Sequence, residues 1–175
     1  IIATQYRRED GAMMPVRLTC VDSGHRTSEV YDWCRRVAHV ARAVKGQADS
    51  HGGIPFCVNV LDRYPHNGQV IPGGLRLWNL HVDFFKDKAT RLIHAAAGEF
   101  GQWYLPEDIH EEYLAQMCAE HKVIVRNKRT GAAREAWQTK GTHTKNHFWD
   151  AEIYALAGAD MLQVALLKGE RARPA

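Results

Sequence analysis

Asp22, Asp83 and Asp150 are the residues of this chain best placed for chemistry, because each stands where an apolar run ends or a polar cap opens a helix. Asp22 closes the β-branched and apolar run Val16 to Val21 and is followed by Ser23 and Gly24, the pattern of a strand delivering a carboxylate at its carboxyl edge. Asp83 follows Leu75 to Val82, whose alternation reads as a second strand ending in an acid, so that the two acids lie side by side if the sheet orders them so. Asp150 falls in the first turn of a helix that opens at Asn146 and turns apolar through Leu162. Carboxylates from separate elements, left partly open to water, suit Mg²⁺ or Mn²⁺. Two such ions about 3.5–4 Å apart can activate a water and stabilise the leaving oxygen of a phosphodiester.

Each acid also has a plainer use. Asp22 can make an Asx-turn with Ser23 and Gly24. Asp150 suits the positive end of a helix dipole. Asp83 competes for the place of third ligand with Asp87, one helical turn on, and with Glu120, which ends another apolar helix. His25, Lys86, Asn146 and His147 are secondary candidates, able to orient water, neutralise a phosphate or steady a metal ligand.

Charge is unevenly spread. The chain carries +3 overall, yet between His121 and Lys145 seven cations (Lys122, Arg126, Lys128, Arg129, Arg134, Lys140 and Lys145) face one acid, Glu135. That segment holds +6, leaving −3 for the rest. Beside candidate metal carboxylates, such a ribbon reads as a surface for DNA phosphates, with Lys86 added from the helix after Asp83.

The segments Val21 to Arg35, Trp78 to Lys88 and Asn146 to Leu156, in this order and spacing, resemble the nuclease part of lambda-type terminase large subunits (the GpA family) of tailed phages. The resemblance runs from about Val16 to Leu167. It implies an α/β fold of ribonuclease-H-like type, a mixed central sheet flanked by helices, to which this chain adds a basic β-hairpin. It implies metal-dependent cutting of concatemeric double-stranded DNA during genome packaging, with two Mg²⁺ or Mn²⁺ ions held by Asp22, Asp83 and Asp150 and Asp22 bridging both. The implied partners are double-stranded DNA, the terminase ATPase domain, the small terminase subunit and the portal or procapsid, in the cytoplasm of an infected or lysogenic bacterial host. The packaging ATPase itself is not in this sequence, which has no G-x-x-x-x-G-K-S/T motif. Ribonuclease-H-like domains usually follow the first strand with a hairpin, whereas the residues after Thr27 read as a helix. The carboxylates alone leave open a junction resolvase, a hybrid nuclease, or a DNA-binding or assembly module whose acids are structural.

The positioning elements can be read in outline. With 175 residues, 45% of them hydrophobic, one sizeable core and a single domain are expected. Residues 1–15 read as a linker or a remnant of an upstream connection, 16–168 as the nuclease domain and 169–175 as a flexible tail. The start without methionine fits a processed chain or an excised domain, the second favoured by the resemblance. No run is long and apolar enough for a membrane span. After the Asp22 turn, Thr27 or Ser28 can cap a helix with Val30, Trp33, Cys34 and Val37 on one face, followed by a strand over Val40 to Val44. Phe56 to Leu61 reads as an edge strand, and a helix runs from Asp83 to Ala97. Another helix starts at Pro106, a hairpin pairs His121 to Arg126 with Arg134 to Thr139, and the last helix stops near Lys168 and Gly169. The cysteines Cys20, Cys34, Cys57 and Cys118 have no zinc-like spacing and read as reduced, buried thiols.

Overall fold

The computed structural model describes residues 2–48, 53–99 and 101–167; the proposed tail and the helix stop at Lys168 and Gly169 lie outside them. The chain opens with a fully exposed antiparallel hairpin, β1 (Gln5–Arg7) and β2 (Met13–Pro15), within the segment that reads as a linker. Next come β3 (Thr19–Asp22), α1 (Thr27–Arg36), β4 (Ala41–Gln47), β5 (Phe56–Arg63), β6 (Val70–His81) and α2 (Val82–Ile93). Then follow α3 (Glu111–Met117), β7 (Glu120–Arg126), β8 (Ala133–Thr139), α4 (His147–Met161) and a 3₁₀ turn at Val164–Leu166.

The central sheet is mixed, in the order β3-β4-β6-β5, with β3, β4 and β6 parallel and β5 antiparallel at one edge. Two corrections follow for the acids. β4 lies between β3 and β6, so the strands leading to Asp22 and Asp83 are not neighbours. Moreover, β6 ends at His81 and passes directly into α2, so Asp83 sits in a helical first turn rather than at a strand end. A helix, α1, does follow the first strand of this sheet.

Both faces of the sheet are covered, as period-2 alternation on a buried strand requires. On one face, Ala41 and Ala43 of β4 and Ile71, Leu75 and Leu77 of β6 pack against Tyr31 and Cys34 of α1. On the other, Val44 and Leu80 meet Phe85 and Ala89 of α2 and Trp149, Ile153 and Ala157 of α4. Phe85, Leu80 and Ile153 are fully buried, each contributing about 1.5–3 kcal/mol by removal from water. Gly46 is needed where these layers come closest: a Cβ there would stand 2.8 Å from Val82 Cγ1 and 3.1 Å from Tyr154 Oη.

Three helices are shorter than their patterns: α2, expected to run to Ala97, ends at Ile93. The helix foreseen from Pro106 begins only at Glu111. α4 ends at Met161, beyond which Gln163 turns left-handed (φ 54°). Val164, Leu166 and Leu167 continue the apolar run, but they are exposed, so burial does not extend the helix.

Candidate active site

Asp22 is the exposed last residue of β3. Its Oδ1 accepts the Gly24 amide at 2.9 Å, the Asx-turn foreseen as its plain use, and this bond also fixes the direction of the carboxylate. The turn is anchored from below. Ser23 is buried and donates from Oγ to Val44 O at 2.8 Å, while Thr27 Oγ1 donates to Ser23 O at 2.8 Å. Arg26, in the left-handed region (φ 50°), starts α1 and pairs with Glu29. Asp22, His25, Arg26 and Glu29 line one side of a cleft of about 450 Å³.

Asp150 lies in the first turn of α4 with its side chain 40% exposed. Burial pushes its carboxyl above the usual range; Lys86 and His147 oppose this, and the negative charges of Glu120 and Asp22 add to it. Tyr154, one turn along α4, is pushed up by burial and by both Asp22 and Asp150. Asp22 and Asp150, far apart in sequence, thus act electrostatically on the same tyrosine, whose hydroxyl lies by Gly46 near the carboxyl end of β4.

Asp83 has different company. Burial raises its carboxyl, the positive charges of Lys86, His81 and Arg134 pull it down, and Asp87 adds repulsion. Among the described residues, no group of three or more His, Cys, Asp or Glu converges closely enough to hold a metal ion. Asp87 is occupied otherwise, accepting Trp137 Nε1 on Oδ1 and Lys122 Nζ on Oδ2, each at 2.9 Å. Glu120 is occupied as well, by Lys86 Nζ at 2.6 Å and Asn146 Nδ2 at 2.7 Å.

The foreseen hairpin is present, pairing Glu120 with Thr139 through to Arg126 with Ala133. Arg126, Lys128, Arg129, Arg134, Lys140 and Lys145 are exposed. Lys122 instead bridges Asp87 and Glu135, the latter at 2.8 Å, and Lys86 is buried, so neither presents a free ammonium on the outer surface. The tip is held by its own side chain, with Asn127 Oδ1 accepting the amides of Arg129 and Thr130 at 2.9 and 3.1 Å. Of the secondary residues, His25 and His147 are exposed and Asn146 faces Glu120. Tyr154 was missed by sequence reasoning, although its position four residues after Asp150 signalled a shared helix face. Nothing in the sequence marked Arg26 as left-handed.

The chain matches the family described as terminase large subunit gpA, endonuclease domain, over residues 1–172. It belongs to that family. The match begins at residue 1 and so takes in the β1–β2 hairpin. No curated protein and no solved structure matches the chain. Membership carries a nuclease role in DNA packaging, with DNA as the substrate. Among the described residues, no helix is long and apolar enough to cross a membrane.

Proposed function

We propose that this domain is a divalent-metal-dependent endonuclease that cuts concatemeric double-stranded phage DNA during packaging, with Asp22 and Asp150 as its central metal-binding carboxylates. The observation carrying this reading is the packing of α4 against β3, which puts Asp150 at the start of one and Asp22 at the end of the other within each other's electrostatic reach. Like charges near one another repel, the more so where one of them is half-buried, and a cation between them relieves that repulsion. The donor set fits Mg²⁺ or Mn²⁺: hard oxygens, partly exposed, from two separate elements.

When bound, two such ions would activate the attacking water and stabilise the leaving oxygen. Asp22 and Asp150 would hold the metal, with Asp83, near Lys86 but not converging with them into a group of three, as a lesser contributor. The protein's own part is to hold these acids on a rigid sheet and helix and to bring the phosphate backbone in along the hairpin. Arg126, Lys128, Arg129, Arg134, Lys140 and Lys145 supply that contact without reading bases. The ATPase domain, the small subunit and the portal or procapsid are the proposed partners, and the cytoplasm of the bacterial host the proposed location.

The test is nicking of supercoiled plasmid in Mg²⁺ or Mn²⁺, beside an RNA–DNA hybrid and a four-way junction. Wild type is expected to cut the plasmid, and Asp22→Asn and Asp150→Asn to fall to background with unchanged melting temperatures. Cutting by both variants at the wild-type rate would overturn the metal assignment. Preference for the hybrid or the junction would overturn the substrate.

A further inference from the structure

Lys86, Glu120 and Asn146 come from three separate places, the second turn of α2, the first residue of β7 and the residue before α4, and they meet beside Asp150. Lys86 Nζ donates to Glu120 Oε2 at 2.6 Å, and Asn146 Nδ2 donates to Glu120 Oε1 at 2.7 Å. The same ammonium stands 4.0 Å from Asp150 Oδ1. The side chains of Lys86 and Glu120 are only 10% and 4% exposed.

Stability alone is a poor reason for such a pair. Both ions lose hydration on burial, and well-packed apolar residues of similar size are often as stable or more so. Nor does the hairpin need the pair as its anchor. Asp87, the next residue of α2, ties the same two elements together through Lys122 and Trp137. Asn146 meanwhile gives up the usual role of its position, since it precedes α4 without a side-chain capping bond. What the three residues achieve together is to fix a flexible ammonium at one point near Asp150. A lysine without Glu120 would swing onto the Asp150 carboxylate and compete there with a metal ion; the shorter bond to Glu120 holds it off.

We infer that Glu120 and Asn146 are positioning residues, which hold the Lys86 ammonium beside Asp150 without letting it close on that carboxylate. Asp150 then stays open to the metal, with the ammonium held beside it. This inference rests on the assignment of Asp150 proposed above.

The experiment is a single-turnover nicking assay of Glu120→Gln across a Mn²⁺ titration, with duplex affinity measured separately in Ca²⁺. The amide keeps the shape and removes the anion, so the Mn²⁺ concentration for half-maximal rate should rise by about tenfold or more. Duplex affinity should not change. Asn146→Ala should shift the Mn²⁺ dependence in the same direction by less, and it stands as the test should Glu120→Gln not fold. Wild-type Mn²⁺ dependence in a folded variant would overturn the inference. So would a loss of duplex affinity that accounts for the whole loss of rate, because the pair would then only place the hairpin. Asp150→Asn separates the two readings: inactive Asp150→Asn beside wild-type Glu120→Gln refutes the positioning role, whereas active Asp150→Asn refutes the carboxylate assignment beneath it.

Discussion

Asp22, Asp83, Asp87 and Asp150 are the same residue type, and their surroundings separate them. Asp87 serves Trp137 and Lys122, whereas Asp150 feels the charge of Asp22, and Tyr154 that of both. Asp83→Asn should therefore reduce nicking less than Asp22→Asn or Asp150→Asn in parallel single-turnover assays; equal loss would make Asp83 a full partner. The thiols divide in the same way. Burial pushes Cys20 and Cys34 up to about 11, with Arg42 opposing it in both, while Cys57 and Cys118 are exposed. Since the thiolate is the reactive form, a thiol reagent at neutral pH should label Cys57 and Cys118 quickly. Cys20 and Cys34 should react slowly, and faster as pH rises toward 11; four equal rates would contradict this burial. The candidate acids were legible from type and flanking residues. Which of them meet was not, because strand order is decided by contacts distant in sequence. The two exposed cysteines were misread for a related reason: Cys57 sits in an apolar run that forms an edge strand and Cys118 just past α3, so neither is covered.

At the scale of elements, alternation and turn residues foretold β3, β4, β6, the β7–β8 hairpin and the start of α4. The cap expected from Thr27 or Ser28 is not made, because Arg26 holds that position without a side-chain bond. The length of a helix depends on what lies beneath it, so the late start of α3 and the early stops of α2 and α4 were not legible. Gly46 shows how closely the layers approach, with Val82 and Tyr154 filling the space a side chain would need. Gly46→Ala should cost about 1–3 kcal/mol by overpacking, read from denaturant melts, and should impair nicking because it displaces Tyr154. An unchanged midpoint would mean that the layers are looser than described. The hairpin carries a prediction of its own. Lys128→Ala together with Arg129→Ala should weaken affinity for two unrelated duplexes alike in Ca²⁺, and flatten log K against log salt by up to about two units. An unchanged slope would make the tip a solvated surface, and a loss confined to one duplex would mean that it reads bases.

Across the whole molecule, the sheet with α1 on one face and α2 and α4 on the other brings residues from opposite ends of the chain to a single rim. α4 lies so close to β3 that a Cβ on Gly158 would stand 3.2 Å from Cys20 Sγ, which fixes Asp150 relative to Asp22 through rigid elements rather than loops. The family was legible from the three segments around the acids, and the mixed α/β architecture from that resemblance. The proposed pairing of Asp22 with Asp150 ahead of Asp83 rests on the assembled fold. Crystals soaked in Mn²⁺, with data collected at a wavelength where manganese scatters anomalously, test that pairing most directly. An anomalous peak within bonding distance of both Asp22 and Asp150 is the predicted result; a peak bound by Asp83 or Asp87 and touching neither would contradict it.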